Sequence, residues 1–294
     1  MPARSRLLLV LIVAVAAAVG VAVSLWRPPA PPDLAWAPYQ DDYHTKIDLA
    51  RLEHELPLSP ATLARVTPAS LKALDQEQLN QLYARLTAGP IPDGPLGGDL
   101  FFPRGASGDV RLSEIVGGVK GLFLGVGSIK AEVLGRALWK GKVFYRDARV
   151  LRNRIDDLAV LKPIVGDPGD IKKLTFEGAT TWLLFPAKLY CGQSLLDGRR
   201  ESTIIDYAFT DDIEGYREKP DFLAGRRGLD VRDEIRMIRP GFYLGRAYMH
   251  RVFVLNFTLY NAEIAKRDGP AFAKSGKVAE DCWAGTQRVA DLPD

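Results

Sequence analysis

Residues 231–260 read VRDEIRMIR PG FYLGRAYM HR VFVLNFTLY, and the punctuation of this stretch decides the fold. Three runs rich in Val, Ile, Phe and Tyr, Val231–Arg239, Phe242–Met249 and Val252–Tyr260, are broken by Pro240-Gly241 and by His250-Arg251. β-Branched and aromatic residues fit strands, and breaks this short join strands as hairpins. Upstream, residues 180–191 and 201–209 flank the turn signal Leu196-Asp197-Gly198-Arg199. Residues 142–145 and 149–155 read as one interrupted strand or two, and residues 99–102 as the first strand, after Pro92-Asp93-Gly94-Pro95. Consecutive strands joined by short turns are antiparallel neighbours, not βαβ units. The expected fold is therefore mainly β, an antiparallel curved sheet or barrel of about six to nine strands, whose closure would remove exposed edges.

Alternation in Val231–Arg239 places Arg232, Glu234, Arg236 and Ile238 on one face, and Val231, Asp233, Ile235, Met237 and Arg239 on the other. The first face is a charged ladder. On a barrel exterior it would form cross-strand ion pairs worth little each. In an interior it would form a polar station where Arg grips a carboxylate or phosphate headgroup in two-point fashion. Asp206, set in Ile204-Ile205-Asp206-Tyr207, favours the interior. A carboxylate amid apolar sequence needs a buried partner, which Arg232 or Arg236 would supply. The candidate ligand-binding residues are accordingly Asp206, Tyr207, Arg232, Glu234, Arg236 and His250. His250 is a turn residue on the plain reading and a general base on the sharper one.

Several strings, taken together, resemble an uncharacterised group of bacterial exported proteins with a lipocalin-like (calycin-type) β core. They are Ile91-Pro92-Asp93-Gly94, Leu138-Trp139-Lys140-Gly141-Lys142-Val143-Phe144, Leu196-Asp197-Gly198, Ile205-Asp206-Tyr207, Val231-Arg232-Asp233-Glu234-Ile235-Arg236 and Pro240-Gly241-Phe242-Tyr243-Leu244-Gly245. The likeness spans roughly residues 91–260 and implies a small barrel. It carries no catalytic signature, and the Gly-x-Trp opening of true lipocalins is absent.

The N-terminus sets the compartment. Arg4 and Arg6 precede a nearly uninterrupted apolar run over residues 7–25, long enough to cross a hydrocarbon core about 30 Å thick. Positive charge before the run, and acidic Asp33, Asp41 and Asp42 after it, place the N-terminus in the cytoplasm and the body in the periplasm. A retained inner-membrane anchor over residues 1–26 is preferred to a cleaved signal with secretion. The run is long for a signal, and Leu25-Trp26-Arg27-Pro28-Pro29 is a poor cleavage site. A Pro-rich spacer (27–40), a helical lead-in (41–90), the β domain (91–267) and a loose C-terminal tail (268–294) follow. In the lead-in, Thr67-Pro68-Ala69-Ser70 caps a leucine-striped helix over residues 69–86, a core-facing seam or else a docking face for a protein partner. Residues 116–139, with five glycines in their first half, are read as a second helix. Cys191 and Cys282, the two cysteines, are expected to form a disulfide in the periplasm, with two buried thiols as the alternative.

Composition narrows the chemistry. Net charge is +3 in 294 residues, too small and dispersed for a nucleic-acid partner. There is no Gly-x-Ser-x-Gly elbow, no phosphate-loop ending after the Gly121–Gly127 glycines, and no Cys/His metal spacing. No cofactor or metal is expected, and the preferred function is binding of a lipid-like or amphipathic small molecule inside the barrel. The alternatives are an enzyme using acid–base groups on the same scaffold, or a scaffolding envelope protein.

Overall fold

The computed structural model describes residues 32–38, 47–101, 138–158 and 169–285. Every element below belongs to the second of two compact units, Asp33–Asp294. The strands are β1 (Gly94–Phe101), β2 (Trp139–Tyr145), β3 (Val150–Ile155), β4 (Lys173–Phe176), β5 (Ala179–Gln193), β6 (Glu201–Asp206), β7 (Val231–Arg239), β8 (Phe242–Met249) and β9 (Val252–Tyr260). All pairings are antiparallel. β1–β2–β3 and β5 through β9 are two meanders. β3 pairs with β5 (Val150 opposite Lys188) and β9 with β1 (Tyr260 opposite Gly97), which closes an eight-stranded barrel. Closure leaves no open edge between β1 and β9. The result is compatible with a lipocalin-like core.

β4 is the strand that sequence reading missed. It pairs with the first residues of the long β5 through a two-residue turn at Glu177 and Gly178. Both have positive φ (51° and 78°), the backbone that such hairpin turns require.

Among the described residues four short helices precede the barrel: α1 (Leu49–Glu55), α2 (Pro60–Arg65), α3 (Pro68–Lys72) and α4 (Gln76–Ala84). Each begins at a side-chain cap, Asp48, Ser59, Thr67 and Asp75 respectively. Such caps are worth about 1 kcal/mol each. The single helix expected over residues 69–86 is instead two, because Asp75 and Gln78 form a capping box that starts α4 afresh. Leu71, Leu79, Leu82 and Leu86 of this layer pack on Ile238, Phe242 and Leu244, which project from the outside of β7 and β8. The leucine stripe is thus occupied within the chain. A separate core of Leu96, Phe144, Leu151, Leu189, Ile235 and Leu259 fills the barrel.

Up to residue 285 the C-terminal part is not the loose tail expected. α6 (Ala262–Ser275; α5, Glu218–Asp221, lies between β6 and β7) is capped by Asn261 and stopped by Gly276 at φ 66°. Its Phe272 joins the barrel core. Residues 277–285 then strap across one barrel end. Glu280 accepts from Gly89 N (2.8 Å), Asp281 from Ile91 N (2.8 Å), and Glu201 from Trp283 N (2.8 Å). The expected Cys191–Cys282 disulfide is present and fixes this strap to β5. It closes a span of 91 residues. Cys191→Ser with Cys282→Ser should lower unfolding stability by about 2–4 kcal/mol, the usual range for a native bridge. Urea unfolding of the two proteins reads this, and equal midpoints would mean that the bridge contributes nothing.

The apolar run at 7–25 and the glycine-rich stretch at 116–139, where a helix is expected, lie outside the described residues, apart from Leu138 and Trp139. Among the described residues no helix is long and apolar enough to cross a membrane.

Candidate functional site

Two places on the barrel combine polar groups with apolar walls. The first is inside, toward the His250 end. β2 carries Lys142 inward, β3 carries Asn153, β7 carries Asp233, and Tyr207 follows the last residue of β6. The Lys142 ammonium donates to Asn153 Oδ1 (2.9 Å), Tyr207 Oη (2.6 Å) and Asp233 Oδ2 (2.9 Å), using all three of its hydrogens. Trp139, Tyr207 and Phe257 place their ring centroids 5.3–5.4 Å from the same nitrogen, within cation–π reach. Asn153 is oriented in turn, receiving Trp139 Nε1 (2.9 Å) and donating to Phe185 O (2.9 Å).

Lys142 and Asp233 are 2% and 4% exposed, so burial governs the electrostatics. Burial lowers the lysine pKa below its ordinary value, and Asp233 works against that shift. Burial raises the Tyr207 phenol well above its ordinary value, and Asp233 raises it further. The cluster is a closed ion pair that ties β2, β3 and β7 to the residue following β6 around a neutral centre.

The second place is a pocket of about 600 Å³ at the opposite, Pro240 end, between the barrel mouth and α6. Its floor is Leu96, Met237, Tyr243 and Phe272, continuous with the barrel core, and Ile264 and Val278 form walls. Arg146, Arg267 and Lys277 line it with Asp93 and Asp268.

The candidate residues named from sequence are spread over both faces. Tyr207 lies inside, in the Lys142 cluster. Arg232, Glu234 and Arg236 lie on the outer face of β7, in phase with Ile238, which reverses the expected orientation. The outer face is as buried as the inner one, because the helices and residues 194–200 cover it, so alternation could not say which was inside. There Arg236, wholly buried, is held by Asp197 Oδ2 (3.2 Å), Ser202 Oγ (2.9 Å) and the carbonyls of Tyr83, Asp197 and Arg200. Glu234 Oε1 accepts from Leu195 N (2.8 Å) and lies 3.4 Å from Arg232, which donates to Gln193 O (2.8 Å).

Asp206 stands opposite Arg232 in register, but on the outer surface, accepting from Tyr190 Oη (2.9 Å) and Ala208 N (2.8 Å). His250 is exposed in the β8–β9 turn, with Nδ1 3.4 Å from Asp230. These residues therefore do not converge on one interior station. The one group with metal-ligand geometry among the described residues, Cys191, Glu201 and Cys282, has both sulfurs committed to the disulfide.

Sequence reading passed over Lys142, Asn153 and Arg146. Lys142 had a local signal, a cation between Gly141 and Val143 in an apolar strand. Asp233 was placed on the correct opposite face of β7 from Arg236, but without its partner. Compared with known protein families, curated proteins and solved structures, the chain matches none of them.

Proposed function

We propose that this protein is a periplasmic binding module, held at the inner membrane by its N-terminal apolar run, that carries an amphipathic small molecule in the pocket at the Pro240 end. The observation that carries this reading is the composition of that pocket. An apolar floor continuous with the barrel core meets a rim of charged side chains, at a volume typical of small-molecule sites. The ligand sits at the mouth under α6 rather than at the centre, which the Lys142 cluster and its rings occupy. The earlier candidate set thus gives way to Leu96, Met237, Tyr243, Phe272 and the rim.

Native mass spectrometry of the chain released from membranes, with lipid analysis of what dissociates, tests the proposal. A stoichiometric amphiphile is expected. Ala271→Trp, which places an indole in the pocket from the exposed side of α6, should lower its occupancy by about tenfold or more. No adduct in the parent, or equal occupancy in the variant, would sink the reading.

A further inference from the structure

We infer that the pocket selects an amphipathic anion, an oxyanionic headgroup (carboxylate or phosphate) on an aliphatic tail, and that Arg146 is the residue that grips it. The inference rests on the pocket being a ligand site, and deepens it by assigning the ligand's charge.

Arg146 opens the turn between β2 and β3, and two bonds fix it. Its backbone N–H donates to Asp93 Oδ1 (3.2 Å), and its Nε donates to Ile91 O (2.6 Å). Anchoring through Nε orients the planar guanidinium while sparing both Nη groups. These have no hydrogen-bond acceptor among the described residues. A guanidinium presenting its two Nη groups in a fixed plane is preorganised for two-point binding of a carboxylate or phosphate.

No carboxylate among the described residues accepts from its Nη groups. Asp93 takes the Arg146 N–H, and Asp268 pairs with Arg267 through two contacts of 2.8 Å. Glu280 and Asp281 accept backbone N–H groups of Gly89 and Ile91. The Tyr243 hydroxyl donates its hydrogen to Pro90 O (3.0 Å), so it offers a headgroup no proton. Among the described cations that line the pocket, Arg267 is paired with Asp268, whereas Arg146 and the exposed Lys277 have no carboxylate in an ion pair. The apolar floor below them, Leu96, Met237 and Phe272, takes the tail.

The test is titration of the full chain in lipid nanodiscs, against empty nanodiscs, with four ligands of equal tail: decanoate, decyl phosphate, decyl maltoside and decyltrimethylammonium. Inorganic phosphate serves as a tail-free competitor. Decanoate and decyl phosphate should bind at least about tenfold tighter than the neutral and cationic amphiphiles, the scale of one charge-assisted contact. Arg146→Gln should erase that preference, bringing decanoate and decyl phosphate to the affinity that the same variant shows for decyl maltoside, and Arg146→Lys should restore part of it. Equal affinity across the four ligands in the unaltered chain would overturn the anion assignment and leave the pocket reading standing. Failure of all four to bind would overturn the pocket reading itself. Competition by inorganic phosphate as strong as by decyl phosphate would show a free-anion site and refute the role given to the tail.

Discussion

Asp197→Ala should destabilise the protein by about 3–5 kcal/mol, whereas Asp206→Ala should cost less than about 1 kcal/mol. The contrast follows from burial. Asp197 lies under the helical layer with Arg236, which is 0% exposed, and their removal from water is repaid only while both are present. Without Asp197, the Arg236 guanidinium keeps Ser202 and backbone carbonyls as acceptors, but no opposite charge remains within its own contacts. Asp206 instead accepts a hydrogen bond from the exposed Tyr190, and water can replace that contact.

The acid limb of the stability curve gives a second reading of the same pair. Burial alone would raise the Asp197 pKa, but hydrogen bonds and charge from Arg199 and Arg236 outweigh it and hold the carboxyl below its ordinary 3.8. A depressed folded pKa means that the unfolded chain takes up the proton first. The stabilisation is therefore complete above the ordinary pKa and is lost as pH falls through the folded one. Thermal unfolding from neutral pH down to about pH 3 should show a shallower decline in Asp197→Ala than in the parent. Losses below about 1 kcal/mol with parallel pH curves would mean that the Arg236–Asp197 pair does not hold the helical layer on the barrel.

How much of this was legible in the sequence depended on how local the signal was. β7, β8 and β9 run from Val231 to Arg239, Phe242 to Met249 and Val252 to Tyr260, as their residue types and two-residue breaks indicate. β4 is only four residues long, and its signal, the Glu177-Gly178 turn, is brief. The facing of β7 was not legible at all. Period-two alternation separates faces, but it identifies the core only when the other face is wet. Here the second face is covered by α3 and α4, so Arg236 needed a buried partner outside the barrel as much as Asp233 needed one within. The pocket was hidden for a different reason. Phe272 reaches the barrel core from α6, and Arg146 reaches Ile91 from a turn 55 positions away, contacts that no local pattern announces.

Breaking the interior pair should be as damaging as breaking the outer one, and reversible by a second change. Asp233→Ala leaves Lys142 in the barrel with Asn153, Tyr207 and three aromatic rings, but without its counter-charge. The expected loss is about 3–5 kcal/mol. Lys142→Met combined with Asp233→Leu removes both charges and keeps the volume. It should recover most of that loss, since apolar pairs commonly replace buried ion pairs without penalty.

The alkaline limb separates a stranded charge from a simple packing defect. Burial already lowers the Lys142 pKa below its ordinary 10.5, against the pull of Asp233, and removing Asp233 lets it fall further. Between the folded pKa and 10.5 the unfolded chain binds the extra proton, so raising pH through that window favours the folded state. The deficit of Asp233→Ala relative to the parent should accordingly shrink from neutral pH to about pH 9.5, and the double variant should show no such trend. Urea unfolding of the parent, the single variants and the double variant at both pH values completes the cycle. A deficit that does not change with pH, and that the double variant fails to repair, would mean that Lys142 and Asp233 matter for shape and not for charge.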